Sequence, residues 1–223
     1  PSEYRQLVLQ PATTFLTEPL SDETLGSPAT DVATAFLTDV PYDVFERSEG
    51  LWLKTLSHVV LDAAERREFA EMTGSAARRT EWLFGRIAAK ESVRRYLKTF
   101  FQARWSDADI RIWADGSGKP HALGAWSDLM PTKLDIAIAH TSRFVAAVAA
   151  SNARVGIDVE STERDLSDEF ASGVFTPDEL DLAAQSASAA QTIIRFWCAK
   201  EALSKALGTG IRYSPKEMTV TEY

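Results

Sequence analysis

The chain has 223 residues, 45% of them hydrophobic and 25% charged, which is enough apolar material for a sizeable core in one domain or in two closely packed halves. Its formal net charge is −8, from 32 acidic residues against 24 lysines and arginines, and this balance argues against wholesale electrostatic binding to nucleic acid or to an anionic membrane. Any anionic ligand must therefore be held by a local basic cluster.

Cysteine content and hydropathy indicate a compartment. Cys198 is the single cysteine, so no disulfide can form within the chain, and a reducing, cytoplasmic setting is predicted. No apolar run approaches the roughly 20 residues that span a bilayer, and we expect no membrane segment. The sequence opens with PSEYRQLVLQ, without an initiator Met, which fits a processed terminus, a trimmed chain or a domain excised from a larger protein. EMTVTEY at the other end resembles a strand that simply stops, which slightly favours excision.

In chain order, the first elements are a turn-rich stretch and then helices. Residues 1–40 offer only RQLVLQ as a candidate strand. Helical character is strongest over residues 62–72 and is broken at Gly74. The clearest helix lies in RRTEWLFGRIAAKESVRRYLKTFFQARW, where Leu83, Ile87 and Leu97 belong to an apolar stripe at three- and four-residue steps.

Short strands follow this helix, and two further helices come after them. The predicted strands are DIRIWA, KPHALGAW, KLDIAIAH, RFVAAVAAS and RVGIDVE, and EMTVTEY is predicted as a strand at the end. TPDEL marks a helix start with Pro177 in its first turn, and AAQTIIRFWCAKEALSKALG is a strong helix ended by Gly208. The predicted class is α+β, with two units, residues 1–152 and 153–223.

A pair of acids closes the predicted strand RVGIDVE. Side chains alternate between the faces of a strand, so Asp158 and Glu160 would point the same way and Val159 the opposite way. Two neighbouring carboxylates repel unless a cation lies between them, and Mg²⁺ commonly binds one or two protein carboxylates together with phosphate oxygens. The alternative is a solvated strand end.

The helical stretch FWCAKEALSKALGTG carries a second set of charges. Glu201 and Lys205 are four residues apart and share a helix face. Glu201 could complete a metal site as a third carboxylate, and Lys205 could meet a phosphate. The alternative is an ordinary surface ion pair.

Other features are weaker taken alone. His140 ends an apolar strand, where histidine is more often a packed or capping residue than a ligand. The turn GSGKP lacks the full P-loop pattern. The basic face of the arginine-rich helix could hold phosphate, or it could simply keep a long helix soluble. Cys198 is interpreted as a packing residue. The sequence has no Ser-His-Asp order, zinc-type Cys/His spacing or dinucleotide-binding glycine pattern.

Taken together and in order, RRTEWLFGRIAAK, GKP, IAHTS, GIDVE and FWCAKEALSKALGTG resemble the 4′-phosphopantetheinyl transferase superfamily. The resemblance covers roughly residues 78–210 and is greatest for the larger, pseudo-dimeric type that serves polyketide and peptide synthases. Its most specific part is GIDVE followed by the W-x-x-K-E-A-x-x-K pattern. The ends of the chain also resemble the integrated domain that closes some large iterative polyketide synthases.

The resemblance implies a reaction. Such enzymes move the phosphopantetheine arm of coenzyme A onto a serine of an acyl or peptidyl carrier protein and release 3′,5′-ADP. Carried over, Asp158, Glu160 and Glu201 look like Mg²⁺ ligands, and Mn²⁺ would suit the same oxygens. Glu201, or a water on the metal, would take the proton of the attacking serine.

The resemblance also implies a nucleotide site. Lys205 would lie against the phosphates with Lys200 nearby, and His140 matches the histidine that contacts the 3′-phosphate. The remaining matches to nucleotide-contacting positions are Lys119, Pro120, Arg79 and Arg86. Ala139 stands where the family often has a serine, so a hydroxyl contact to the nucleotide would be lost while the reaction itself would not depend on it.

The fold implied is two similar α+β halves with coenzyme A in the cleft between them. Carrier proteins of this class are acidic, so docking on this acidic chain is expected to use an apolar patch with a local basic rim. Two alternatives stay open: a catalytically silent carrier-docking domain of a synthase, and a Mg²⁺-dependent nucleotide hydrolase that needs no protein acceptor.

Overall fold

The computed structural model describes residues 34–40, 42, 45, 50–102, 104–208 and 214–222, with only the backbone described over 34–39. The first part of the chain contains β1 (Thr34–Asp39), α1 (Leu51–Val60), α2 (Ala63–Glu71), α3 (Ala76–Phe101), β2 (Arg111–Ala114), β3 (Pro120–Leu123), β4 (Asp135–His140) and β5 (Phe144–Ala150). The second part contains α4 (Asp168–Val174), α5 (Pro177–Ala184) and α6 (Ala189–Leu207). Single 3₁₀ turns occur at Asp107–Asp109, Ala125–Leu129 and Pro215–Glu217.

An antiparallel sheet and the long helix α3 form the centre of the first part. The sheet has the order β1-β5-β4, and β2 and β3 form a separate antiparallel hairpin. A Cβ added to Gly85 of α3 would lie 3.5 Å from Ile138 Cγ2 of β4, and Ser92 Oγ donates to the Ala147 carbonyl of β5 at 3.0 Å. The helix therefore lies directly on the sheet.

Two apolar clusters form the interior. The larger one unites α1, α2 and α3 with the sheet and includes the fully buried Leu83, Val93 and Val145. The smaller one holds α5 and α6 together around Phe175 and Phe196. The predicted α+β class is confirmed.

Helix boundaries follow the local signals of the sequence. Thr176 caps α5 by accepting from the Glu179 N–H, and Pro177 is its first residue. α6 ends at Gly208, which has φ 70°, a left-handed conformation that glycine adopts without the steric cost of a Cβ.

Two predicted strands are wrong. Residues 154–160 and 217–222 pair with no strand in the part of the chain that the structure describes. Instead, the first of these segments packs on α6, so closely that a Cβ on Gly156 would lie 1.8 Å from the Ala202 carbonyl oxygen. The candidate strand RQLVLQ lies outside the described residues.

A buried ion pair ties α2 to α3. Lys90 Nζ lies 2.5 Å from Glu65 Oε2, and neither side chain is exposed by more than 1%. The same ammonium donates to the carbonyls of Val60, at 2.8 Å, and Asp107, at 3.0 Å. Glu65, which is the third residue of α2 and closes its capping box with Asp62, also accepts from the Ile112 N–H at 3.0 Å. One lysine and one glutamate thus join five segments of the first part: α1, α2, α3, the Asp107–Asp109 turn and β2.

An equivalent network ties α5 to α6. Lys200 Nζ lies 2.8 Å from Glu179 Oε2 and donates to the carbonyls of Val174, at 3.1 Å, and Pro215, at 3.0 Å. Glu179 is likewise the third residue of its helix, α5, and closes a capping box with Thr176, and its other oxygen accepts from the Val220 N–H at 2.8 Å. The second network contains the same kinds of partner as the first: one lysine, one glutamate, two carbonyls and one backbone N–H. These partners follow one another in the same order along the chain, although the two surrounding sequences differ.

Among the described residues, no helix is long and apolar enough to cross a membrane.

Candidate functional site

The segment that carries Asp158 and Glu160 is held from both sides. On one side, Asp135 Oδ2 at the start of β4 accepts from the Val155 N–H at 2.8 Å. On the other side, Gly156 lies against the backbone of α6 at Ala202. Because any side chain at residue 156 would overlap the helix, glycine allows this approach, and the approach brings the acids up to α6.

Helix α6 presents Lys205 to Asp158. Lys205 Nζ lies 2.7 Å from Asp158 Oδ1, and the lysine and aspartate side chains are 30% and 11% exposed. Asp158 Oδ2 is buried and has no hydrogen-bond partner among the described residues. A buried carboxylate oxygen without a partner is costly, and it is a ready acceptor for a cation.

Glu201 lies in the same electrostatic environment. Burial raises the pKa of its carboxyl above the usual value, and the charges of Asp158 and Glu160 raise it further, against the opposing effect of Lys205. Burial, and after it the charge of Asp158, raise the pKa of the Cys198 thiol to about 12. The thiol therefore stays protonated, which is consistent with the interpretation of Cys198 as a packing residue. The charges of Asp158 and Glu160 thus act on the carboxyl of Glu201.

Glu160 is engaged by an arginine that sequence reasoning did not single out. Its Oε1 forms an ion pair with Arg164 Nη1. No group of three His, Cys, Asp or Glu side chains lies close enough to hold a metal ion within the described ranges. Lys205 and Arg164 provide positive charge beside Asp158 and Glu160.

The placement of Lys200 argues against the prediction that it lies near the phosphates. Its side chain is 2% exposed, and its ammonium is directed to Glu179 and two carbonyls. Lys200 and Lys205 are five residues apart on α6 and therefore point to different sides of the helix. We assign Lys200 to the interior of the second part.

Arg86 is also poorly placed for direct contact with a nucleotide. Arg86 is 9% exposed. Its Nη2 lies 3.1 Å from Glu68 Oε1, and its Cζ lies 3.3 Å from the ring centre of Trp82. Burial lowers the pKa of the Arg86 guanidinium to about 10, in spite of the opposing charge of Glu68. This arginine holds α2 against α3.

Arg79, by contrast, lines an open basic pocket between α1, α2 and α3. The pocket has a volume of about 640 Å³, within the range of small-ligand sites. The Arg79 guanidinium lies 4.6 Å from the ring centre of Phe69, and its Nε is buried without a partner among the described residues. The other basic residues lining this pocket are Lys54, His58, Arg66 and Arg67.

Sequence reasoning missed this pocket. Arg66 and Arg67 are visible as adjacent charges, but Lys54 and His58 come from the preceding helix. Only the packing of α1 against α2 brings these four together with Arg79. A basic cluster of this kind is the local feature that an acidic chain needs in order to bind an anion.

The remaining nucleotide-site predictions lie at the ends of strands. Lys119 precedes β3, and its Nζ lies 2.6 Å from Asp135 Oδ1. Pro120 is the first residue of β3 and is partly buried. His140 ends β4 and is exposed.

Comparison with known proteins identifies relatives. The family model described as the 4′-phosphopantetheinyl transferase superfamily matches residues 154–222. A holo-[acyl-carrier-protein] synthase from Geobacillus sp. is 31% identical over 104 residues, which cover 46% of this chain and 83% of the relative. One from Cereibacter sphaeroides (strain ATCC 17025) is 50% identical over 54 residues, or 24% of this chain, and the chain spans only 39% of that relative's length.

A solved structure of a holo-(acyl-carrier-protein) synthase from Bacillus anthracis, in complex with CoA (3′,5′-ADP), is 22% identical to this chain. The match covers 55% of this chain and 96% of that structure, with a TM-score of 0.43.

Proposed function

Since this chain belongs to the 4′-phosphopantetheinyl transferase superfamily, we propose that it transfers 4′-phosphopantetheine from coenzyme A to a serine of an acyl or peptidyl carrier protein. The serine oxygen forms a bond to the phosphorus that carries the pantetheine arm, the bond from that phosphorus to the bridging oxygen breaks, and 3′,5′-ADP leaves. The observation that carries the proposal is the juxtaposition of Asp158, Glu201 and Lys205 within the region that matches the family model.

The acids suit a hard divalent cation. Asp158, Glu160 and Glu201 offer only oxygen donors, Asp158 Oδ2 has no partner among the described residues, and the charges of Asp158 and Glu160 raise the pKa of Glu201. This concentration of like charge is what Mg²⁺ relieves. No three of the described acids lie at ligand distance from one point, so we propose that these three side chains would turn toward the ion as its ligands, with Mn²⁺ as an alternative. When bound, the metal supplies positive charge to the pyrophosphate as its bond breaks.

Two residues of α6 carry the protein's share of the chemistry. Glu201 is proposed to accept the proton of the serine hydroxyl as the oxygen attacks. Lys205 is paired with Asp158 at 2.7 Å and is 30% exposed, so its ammonium can turn from that carboxylate to a phosphate oxygen. Its charge then stabilises the leaving 3′,5′-ADP.

The nucleotide is proposed to contact residues of the first part. Arg79 is best placed among the predicted arginines to meet a phosphate, because it lines the open basic pocket, whereas Arg86 is buried and paired with Glu68. Lys119, Pro120 and His140 remain proposed contacts for the adenine and the 3′-phosphate. Arg86 and Lys200 are left out because of their burial.

The equivalence of the Lys90–Glu65 and Lys200–Glu179 networks supports the larger, pseudo-dimeric type. In that architecture two similar halves, 1–152 and 153–223, would hold coenzyme A in the cleft between them. An integrated role in a polyketide synthase and a cytoplasmic location both remain predictions. The carrier protein is proposed to dock through an apolar patch with a basic rim.

One observation favours a second candidate, a catalytically silent carrier-docking domain. Lys205 and Arg164 already balance the charges of Asp158 and Glu160, and no three-ligand metal cluster is formed among the described residues. A silent domain needs no more than this. It predicts that replacing Asp158 changes no function.

The test is intact-mass spectrometry of an apo carrier protein incubated with the chain, coenzyme A and Mg²⁺. The native chain should add one phosphopantetheine, and Asp158→Ala should abolish the shift. Asp165→Ala, at an exposed aspartate of the same stretch, is the matched control and should transfer normally. Equal transfer by native chain and Asp158→Ala would contradict the proposed site. No transfer to any of several carriers would favour the silent domain.

A further inference from the structure

Asp135 joins three pieces of the proposed site. Its Oδ1 lies 2.6 Å from Lys119 Nζ, on the β2–β3 turn. Its Oδ2 accepts from the Val155 N–H at 2.8 Å, three residues before Asp158. The aspartate itself is the first residue of β4, where the sheet fixes its backbone.

The geometry points to Asp135 as a positioning residue, which we propose holds the Asp158 segment on α6 and orients Lys119 at the same time. This inference rests on the proposed transferase function. Asp135 itself touches neither Asp158 nor a phosphate in this scheme; it acts through Val155 and Lys119.

The need for such a tether follows from the local structure. Residues 154–160 pair with no strand among the described residues, so no ladder of backbone hydrogen bonds fixes them. Gly156 can approach α6, but a glycine has more backbone freedom than any other residue. The hydrogen bond from Val155 N–H to Asp135 therefore sets where the acids meet α6.

Lys119 gains a fixed direction from the same carboxylate. The Lys119 and Asp135 side chains are 17% and 20% exposed. The stem of Lys119 also passes the end of α6, since its Cδ lies 3.3 Å from where a Cβ on Gly208 would stand. A partly buried lysine that is held at both its head and its stem has lost most of its rotamer freedom before a ligand binds.

Two substitutions separate the two roles of the carboxylate. Asp135→Asn keeps a carbonyl oxygen that can accept from Val155 N–H but loses the charge that pairs with Lys119. Asp135→Ala loses both interactions. Lys119→Met removes the ion pair from the other side and leaves the Val155 hydrogen bond in place. Asp128→Ala, at an exposed aspartate of the Ala125–Leu129 turn, is the control.

The predicted results differ between these variants. Asp135→Ala should lower kcat by at least about tenfold, because small displacements of catalytic groups have effects of this size or more. Asp135→Asn should keep kcat within about threefold of the native value and raise KM for coenzyme A, as should Lys119→Met. Combining Asp135→Asn with Lys119→Met should add little to either change, because both remove the same pair.

Amide hydrogen exchange at Val155 provides a readout that does not depend on activity. Its exchange should accelerate in Asp135→Ala and stay slow in Asp135→Asn, while urea unfolding checks that each variant is folded. Fast exchange in Asp135→Ala with unchanged kcat would overturn the positioning role. Slow exchange in Asp135→Ala would overturn the tether itself.

These outcomes remain distinct from failure of the proposed function. If the native chain transfers no phosphopantetheine, the transferase proposal fails and the catalytic part of this inference fails with it. Exchange at Val155 would still decide whether Asp135 fixes the segment.

Discussion

Replacing Lys200 by methionine tests the assignment of this lysine to the protein interior. The Lys200 and Glu179 side chains are 2% and 0% exposed, and the ammonium makes three contacts of 2.8–3.1 Å. Removing one member of a buried pair costs about 3–5 kcal/mol, because the remaining charge is left uncompensated. That is a large share of the roughly 5–15 kcal/mol that stabilises a typical domain.

The matched control is Lys205→Met, on the same helix. Lys205 is 30% exposed, so its replacement should lower the free energy of unfolding by about 1 kcal/mol while abolishing transfer. Urea unfolding followed by circular dichroism gives the stability of each variant, and calorimetry with coenzyme A gives binding by the folded protein. The reasoning is refuted if Lys200→Met unfolds like the native chain but fails to bind coenzyme A.

Three further predictions concern packing, the internal equivalence and pH. Gly156→Ala should abolish transfer, because its Cβ would lie 1.8 Å from the Ala202 carbonyl oxygen, whereas Gly173→Ala, which meets nothing within 4 Å, should leave transfer unchanged in the same mass assay. Lys90→Met should destabilise the chain by about 3–5 kcal/mol in urea, since its pair with Glu65 is as buried as the second pair, and a loss below about 1 kcal/mol would contradict the equivalence. Burial alone would raise the pKa of Glu179, but hydrogen bonds from Lys200 and from backbone N–H groups outweigh burial and lower it. Its contribution to stability is therefore present above the ordinary glutamate pKa of about 4.3 and is lost as pH falls through the lowered value, so thermal melts of Glu179→Gln should depend less on acid pH than those of the native chain.

The sequence predicted the elements whose signals are local. The α5 start at Pro177 and the α6 end at Gly208 follow from capping preferences that act within one helical turn. The segment 154–160 was mispredicted because apolar alternation shows only that a stretch is half-buried. A strand also needs a neighbouring strand, and this stretch has α6 instead.

The roles of individual basic residues depended on distant partners. Lys200 and Lys205 look alike in the motif, but they form different ion pairs. Lys200 pairs with Glu179 in the interior, and Lys205 pairs with Asp158 at the site. Arg79 and Arg86 likewise differ through what α2 places beside them. Such partners lie far away in sequence, so a motif alone could not rank these residues.

The most direct measurement of the central claim counts both products of one reaction. Native chain, coenzyme A, Mg²⁺ and an apo carrier protein are incubated together, and 3′,5′-ADP and modified carrier are quantified from the same sample. The transfer proposed here predicts one 3′,5′-ADP for each carrier modified, and none when the carrier is omitted. Release of 3′,5′-ADP without a carrier would instead indicate a nucleotide hydrolase and would contradict the account.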